Sequence, residues 1–464
     1  MIFLIICFCL LGYAIYLHDI GERDKSTFIF FLFLCNGFGF FHSDWLNGMP
    51  INKYKDFALI YLLYDIVGKI YNSDRIIIKS FPIYRWLSFL VLYLTLEFIF
   101  TILTGKEIFS LSLAVYRDYL FFLSFILFQG MKKRQLRNVV VSVSLATMLS
   151  AVVYVTQPIF RLPILDRAPV AQVGEGTRYR NVPELLYFVL LYITVRLDLS
   201  KFKSILVILI CILSLALTQH RGVMLGYAAT VVLYLILSKD TRKALQYGII
   251  GFVAFIAVGS MVVSRFENKG KNSTFDDISN VLNMDYSRAA ANGYDDEGGT
   301  LAFRVLLFVE RFDYFQRHPK YMLTGVGMRH EDSPKTQREF HFILGSRKRD
   351  RLTGFRIPQQ IDSGDLVWFR PFVKFGIIGL VLYLYITWLI IVYLYKKRKN
   401  GTLATVTFLF YVLLIAISMK NDYLFAPIQV TFLLLIIELI RKNKANAIDR
   451  ILFQEFKLLG KNGV

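Results

Sequence analysis

Residues 367–395 read VWFRPFVKFGIIGLVLYLYITWLIIVYLY, an apolar run that is followed at once by the basic residues 396–399. A helix needs about 20 consecutive apolar residues to cross the hydrocarbon core of a bilayer, so this run predicts a membrane-spanning helix. The basic residues after it indicate the cytoplasmic end of that helix, because cytoplasmic loops carry an excess of Lys and Arg.

The rest of the chain extends this pattern in both directions. A water-soluble insertion, residues 264–366, precedes the run, and apolar runs occupy most of the remaining chain. Candidate spans are 1–17, 28–41, 56–72, 82–103, 108–129, 138–156, 182–196, 203–218, 221–238, 246–263, 367–395, 402–418 and 421–440. The span at 56–72 is the weakest, because it contains Asp65 and Lys69. We predict an all-α polytopic membrane protein of about 12 or 13 transmembrane helices with one large, partly helical outer loop.

Basic clusters predict the orientation and the domain boundaries. They occupy residues 132–137, 239–243, 396–399 and 441–444, and counting spans between them places all four on one side, which should be the cytoplasm. The insertion then lies on the opposite face, as do residues 158–181, 218–222 and 419–422. The predicted domains are an N-terminal transmembrane bundle (1–263), the large outer loop (264–366), C-terminal transmembrane helices (367–440) and a cytoplasmic tail (441–464).

Composition agrees with a membrane protein and argues against nucleic-acid binding. Hydrophobic residues are 55% of 464 and the mean hydropathy is +0.49, both above the values for soluble domains. The net charge of +20 would suggest nucleic acid in a soluble protein. Here Lys and Arg concentrate in short loops between spans, where they set the orientation.

The four cysteines and the first residues carry two further expectations. The cysteines all lie in apolar runs, so we expect neither a disulfide framework nor a zinc site. Met1 begins an apolar run that lacks a basic segment before it and a small-residue cleavage site after it. This pattern favours a retained first span over a cleaved signal peptide.

The outer loop contains one clear amphipathic segment. Apolar residues of 300–316 recur at close to helical spacing, and Pro319 should end the predicted helix. Gly325 and Gly327 follow, and glycines here would let the backbone approach a ligand or another segment closely. They do not form a dinucleotide-binding motif, because no βαβ unit surrounds them.

Arginines are the strongest candidates for chemistry. Arg221 lies in an outward-facing turn between two spans, and Arg304 lies on the predicted loop helix. A guanidinium group suits phosphate oxygens, although an interface anchor or a structural salt bridge would explain each residue as well. Arg117 and Asp118 lie inside an apolar span and point to different faces of a helix, so each needs its own partner, whether a substrate or a neighbouring helix.

Other polar residues complete the candidate set. Asp362 and Asp365 lie just before the span at 367–395, where a carboxylate could take a proton from a sugar hydroxyl or cap the helix. Further candidates for substrate binding in the outer segments are Arg178, Arg180 and His220. The outer loops lack a convincing pair of acidic residues for a divalent metal, which favours arginines for phosphate binding, and we expect neither a metal nor a cofactor.

Three segments in this order resemble the O-antigen polymerase/ligase superfamily of bacterial envelope glycosyltransferases. Residues 218–222 (TQHRG) look like the Ser-Arg-Gly-type turn of that family at the head of a span. The stretch from Phe303-Arg304 through His318-Pro319 to Gly325–Gly327 looks like its arginine, helix, proline and Gly-x-Gly stretch. Residues 375–380 (FGIIGL) look like the start of its next span. The resemblance covers roughly residues 218–397.

The resemblance implies a function and a location. It implies a donor glycan on undecaprenyl diphosphate, a glycan acceptor, membrane lipids around the spans, and a chain-length regulator as a candidate partner. The protein would lie in the bacterial inner membrane with its active site facing the periplasm, and would act as an inverting glycosyltransferase. Arg221 and Arg304 would stabilise the leaving diphosphate, while Gly325 and Gly327 would help to form the substrate site with Arg117, Arg178, Arg180 and His220.

This chain departs from the ligase members of the family at one position. Ligase members typically carry a His-Asn pair shortly before the Gly-x-x-Gly span, whereas this chain has Asp362 and Asp365 there and no histidine. This favours a polysaccharide polymerase, with an O-antigen ligase as the alternative. A transporter of lipid-linked saccharide is a second alternative, but such proteins would more often show related halves with broken spans at matching positions.

Overall fold

The fold is a bundle of helices that carries a compact outer loop. The computed structural model describes residues 2–46, 51, 53–72, 81–160, 164–166, 171–173, 176–178, 182–196, 202–217, 221–238, 247, 299–344, 347–349, 356–358, 360–361, 369–418, 424 and 426–442. The N-terminal helices are α1 (Ile2–Asp19), α2 (Arg23–Leu34), α3 (Tyr54–Tyr71), α4 (Pro82–Leu103), α5 (Phe109–Tyr116), α6 (Ser124–Gln129), α7 (Lys133–Phe160), α8 (Leu186–Val195), α9 (Phe202–Leu217) and α10 (Arg221–Ser238).

The outer loop and the C-terminal part complete the structure. The loop helices are α11 (Gly299–Arg317), α12 (Pro319–Thr324) and α13 (Pro334–Glu339), and the last spans are α14 (Phe369–Lys397), α15 (Thr402–Ile417) and α16 (Pro427–Arg441). Two short antiparallel hairpins join β1 (Ala171–Val173) to β2 (Gly176–Arg178) and β3 (Arg347–Arg349) to β4 (Arg356–Pro358).

The prediction of an all-α polytopic membrane protein is confirmed. Within the described residues, α1, α4, α7 and α14 are long and apolar enough to cross a membrane, and the bent pair α5 and α6 makes a fifth candidate. The shorter apolar helices α8, α9, α10 and α15 fall on four further predicted spans. The predicted span at 246–263 lies outside the described residues, and the count of 12 or 13 stays a prediction.

Three of the four basic clusters lie at one end of the bundle. The Lys442 ammonium donates to the carbonyl oxygens of Gln129 and Met131, beside the cluster at 132–137. The Tyr84 hydroxyl, near the start of α4, donates to the Glu438 carboxylate at the same end (2.7 Å). Phe81 packs on Tyr393, which brings the cluster at 396–399 to this end as well. We call this the basic end of the bundle; the cluster at 239–243 lies outside the described residues.

The two charged residues that weaken the span at 56–72 are paired with each other. Lys69 on α3 contacts Asp65 one turn away (2.6 Å) and also donates to the Ile126 carbonyl of α6. Because buried ions are stable in a membrane protein only when they are paired, these contacts explain how the weakly apolar span at 56–72 forms a helix inside the bundle.

Candidate functional site

The predicted loop helix forms, and it builds a core of its own. Helix α11 ends at Arg317, and Pro319 starts α12, as the sequence predicts. Leu307 and Phe315 of α11 pack against apolar residues of the later loop and of the first turns of α14. These partners are Tyr321, Val326, Phe340, Phe342, Ile361, Phe369, Phe372 and Val373. The outer loop is therefore packed onto the beginning of a span.

Arg311 holds the loop together from within. Its side chain is 0% exposed, and its guanidinium donates to the Glu310 carboxylate (2.8 Å) and to the Leu344 carbonyl (2.6 Å). Burial lowers the pKa of Arg311 to about 10, and the charge of Glu310 opposes that shift. An arginine buried in this way is a structural element of the loop, which distinguishes it from the arginines proposed for catalysis.

The Gly-x-Gly segment interlocks with the glycine at the start of the span. Val326 and Gly327 donate backbone hydrogen bonds to the carbonyls of Val373 and Lys374 (2.9 and 2.8 Å). A Cβ on Gly325 would lie 2.4 Å from the carbonyl carbon of Lys374, and a Cβ on Gly376 would lie 2.2 Å from the carbonyl oxygen of Leu323. Both glycines have positive φ. The close approach is therefore between two backbone segments, one of the alternatives that the sequence left open.

This interlock also kinks the span. Gly376 has φ +63° and ψ −161°, which is not helical, so the first turns of α14 are set at an angle to the rest. The run predicted as a span at 367–395 forms one candidate span, and its kink lies where the backbone of Gly376 approaches Leu323 closely.

The loop also docks on the end of α4 that lies away from the basic end. The buried Glu107 carboxylate accepts hydrogen bonds from the His330 amide (3.0 Å) and the Ser333 hydroxyl (2.7 Å). The Thr101 hydroxyl accepts from the Met328 amide (3.2 Å). The segment after the Gly-x-Gly is therefore held between α4 and α14.

Charged side chains gather where the loop meets α4. Arg329 is 2% exposed and contacts the Glu339 carboxylate (2.6 Å), which also accepts from the Tyr321 hydroxyl. Burial alone would raise the pKa of Glu339, but the hydrogen bonds from Tyr321 and Arg329 outweigh burial and lower it. Burial and the nearby positive charge of Arg329 lower the pKa of Lys106. This cluster was missed from the sequence, although a charged residue close to the end of an apolar span is a recognisable signal.

The predicted arginines occupy distinct places. Arg221 is the first residue of α10, Arg178 ends β2, and Arg304 is half-buried on α11. Arg117 lies at the bend between α5 and α6 and contacts the Asp56 carboxylate of α3 (2.8 Å). Asp118 contacts Lys55, which also lies on α3. The two adjacent charges thus have separate partners on a neighbouring helix, as their positions in the sequence required.

Of the remaining predicted site residues, two are described by the structure and four are not. Gly325 and Gly327 form the interlock with α14 described above. Arg180, His220, Asp362 and Asp365 lie outside the described residues. Within the part of the chain that the structure describes, no group of three His, Cys, Asp or Glu side chains could hold a metal ion.

Comparison with known families places the chain in context. Residues 206–384 match the model of the Wzy_C family, described as O-Antigen ligase. The match runs from α9 through the outer loop into α14 and includes Arg221, Arg304 and the glycine interlock. It confirms the resemblance to the O-antigen polymerase/ligase superfamily and supports an O-antigen ligase or polymerase type of function. No curated protein matches the chain.

Proposed function

We propose that this protein is a metal-independent membrane glycosyltransferase that polymerises surface polysaccharide repeat units at the periplasmic face of the bacterial inner membrane. Its donor is a glycan on undecaprenyl diphosphate. The observation that carries the proposal is the family match over residues 206–384, because this range contains Arg221, Arg304 and the docked outer loop.

The reaction is a single displacement. A hydroxyl oxygen of the acceptor sugar attacks the anomeric carbon of the donor, and the bond from that carbon to the diphosphate oxygen breaks with its electron pair. The hydroxyl proton passes to Asp365 or Asp362. Attack opposite to the leaving group inverts the configuration at the anomeric carbon.

Guanidinium groups stabilise the charge that grows on the leaving diphosphate. Arg221 and Arg304 take this role, since preorganised donors in a partly dry site act most strongly where charge develops. Arg117, Arg178, Arg180 and His220 contribute to substrate binding. The contact of Arg117 with Asp56 makes its role partly structural, and this contact can be tested separately.

Arginine substitutions test the proposal directly. We expect Arg221→Ala and Arg304→Ala each to reduce glycan extension about 100-fold or more, the scale seen when one charge-stabilising donor is lost. Lysine at either position should restore little glycan extension, because an ammonium group does not match the bidentate geometry of a guanidinium. The measurement is the turnover of lipid-linked glycan by the purified protein.

Arg317→Ala is the matched control on the same helix. Arg317 is exposed and contacts only the neighbouring turn through Asp313 among the contacts resolved for it, so its loss should leave extension unchanged. Polymer of near-normal length from both the Arg221 and Arg304 variants would remove these residues from the mechanism.

An O-antigen ligase is the second candidate, favoured by the description of the matching family. The glycan ladder of a deletion strain separates the two functions. Short unextended units indicate a lost polymerase, whereas long polymer that is not attached to an acceptor indicates a lost ligase. A transporter would leave the purified protein without glycan turnover.

A further inference from the structure

A cavity lies at the end of the bundle opposite to the basic end. Its volume is about 200 Å³, and it is lined by the segment that follows α2, by α7, by residues 165–166, by the start of α8 with the residues before it, and by α16. Polar groups come from Asn36, Ser150, Asp166, Glu184 and Gln429. Among the described side chains, neither Arg117 nor Arg304 belongs to this lining.

Two helices fix the position of the cavity along the membrane normal. Helix α2 begins at the basic end, where Gln135 donates to the Gly21 carbonyl (3.0 Å), and Asn36 follows its far end. Helix α16 finishes at the basic end, so Gln429 lies near the opposite terminus. The cavity therefore lies toward the same end of the bundle as the outer loop, which docks beyond the far end of α4.

The amide of Gln429 places a buried hydrogen-bond acceptor in the lining of the cavity. Its side chain is 2% exposed, and within the described structure its Oε1 atom has no hydrogen-bond partner. A buried carbonyl oxygen without a donor loses its hydration without compensation. A ligand hydroxyl or amino group in the cavity would supply the donor.

The walls of the cavity are held in place. Among the described residues, three that are not glycine have positive φ, and all three line this cavity: Asn36, Phe38 and Leu185. Ser150 donates its hydroxyl to the Phe38 carbonyl (2.7 Å), and Thr147 donates to the Glu184 carbonyl (3.0 Å). Backbone strain that the surroundings maintain in this way is typical of sites that are formed before a ligand arrives.

The lining chemistry selects the ligand. The residues around the cavity include two carboxylates, Asp166 and Glu184, and among those described none is Lys, Arg or His. Such a lining offers mainly hydrogen-bond acceptors and, among the described residues, no cation to pair with an anionic ligand, so it suits hydroxyl and amino groups better than a diphosphate or an acidic sugar. A cavity of about 150 Å³ can hold a benzene ring, so the volume here suits one six-membered sugar ring.

We infer that this cavity binds one neutral or amino sugar ring of the acceptor glycan, with Gln429, Glu184 and Asp166 accepting hydrogen bonds from the ligand. This assignment rests on the proposed glycosyltransferase function. It places the acceptor sugar apart from Arg304, which is proposed to bind the donor diphosphate.

Sugar binding tests the inference without relying on turnover. Full-length protein in lipid nanodiscs is titrated with glucose, glucosamine or glucuronate and followed by saturation-transfer-difference NMR. We expect glucose and glucosamine to bind the wild type and glucuronate not to bind. Gln429→Leu and Glu184→Gln should each weaken binding at least tenfold. Gln135→Leu, the same substitution at the basic end, should leave it unchanged.

The outcomes are distinguishable from those of the proposed function. Failure of glucose and glucosamine to bind the wild type, equal binding by both cavity variants, or binding of glucuronate as tight as that of glucose overturns the inference. The unfolding temperatures of Gln429→Leu and Glu184→Gln are measured first, and the use of two variants keeps the test interpretable if one of them does not fold. If Arg304→Ala extends glycan normally while the cavity variants lose sugar binding, the donor mechanism falls and the cavity assignment stands.

Discussion

Gly376 shows how one residue links the loop to the membrane. Its backbone conformation is open to glycine and strained for other residues, and a Cβ there would meet the backbone of Leu323 and Thr324. A Cβ on Gly325 would in turn clash with the backbone of Lys374. Each glycine thus lets the other segment approach, and neither can be replaced without moving backbone.

We expect Gly376→Ala and Gly325→Ala to destabilise the protein by about 1–3 kcal/mol from the strained backbone alone, and by more from the clash. The measurement is thermal unfolding of the purified protein. Gly68→Ala in α3 is the control, because a Cβ there has nothing within 4 Å and alanine favours a helix. An unchanged unfolding temperature in both test variants would contradict the interlock.

A double-mutant cycle with Asp56 can distinguish a structural role of Arg117 from a role in substrate binding. Its contact with Asp56 predicts that Arg117→Ala leaves a partly buried carboxylate without its main cation. We expect Asp56→Ala to recover most of the stability lost in Arg117→Ala, because removing both charges removes the uncompensated one. If Arg117 also binds substrate, glycan extension stays low in the double variant even though its stability returns.

At the scale of elements, the outer loop is anchored to two helices at once. The glycine interlock joins it to α14, and the Glu107 carboxylate joins it to the end of α4. Because α4 lies in the N-terminal part and α14 in the C-terminal part, the loop bridges segments that are distant in sequence.

Loss of the Glu107 carboxylate should release one of these anchors. Glu107→Ala leaves the His330 amide and the Ser333 hydroxyl without their acceptor, at a cost of about 1–3 kcal/mol for each buried group. We expect faster hydrogen exchange at residues 328–333, measured by mass spectrometry, with little change in α11. Glu22→Ala, at an exposed turn of the basic end, is the control. Unchanged exchange at 328–333 would show that the carboxylate does not hold the loop.

The sequence predicted the elements better than their contacts. Apolar periodicity was sufficient for α11, and Pro319 marked its end, because both signals are local. The partner of the Gly-x-Gly could not be read from the chain, since the pairing of Gly325 with Lys374 joins residues far apart in sequence. The cavity at Gln429 was missed for the same reason: its walls come from segments that are far apart in sequence.

At the scale of the whole molecule, the distribution of charge divides the bundle into two ends. The basic clusters at 132–137 and 396–399 lie together with residues 441–442, the described part of the last cluster, and the docked loop lies at the other end of α4. This arrangement predicts that the basic end faces the cytoplasm.

Cysteine labelling in whole cells checks this orientation. We expect a membrane-impermeant maleimide to label Arg338→Cys on α13 from outside, because this residue is exposed in the outer loop, and to label Lys399→Cys only after the membrane is opened. Cys9→Ser serves as the background, since the other cysteines are buried. The reverse labelling pattern would invert the topology and remove the periplasmic site.

The two hydrogen bonds from Val326 and Gly327 to the start of α14 have a mechanical consequence. They hold the segment after α12 against the first turns of α14, so the two cannot move independently at that point. A force on this segment of the loop would therefore act on the kink at Gly376 and on the helical turns of α14 that follow it. Movement of the loop and tilt of this helix are thereby linked at that point.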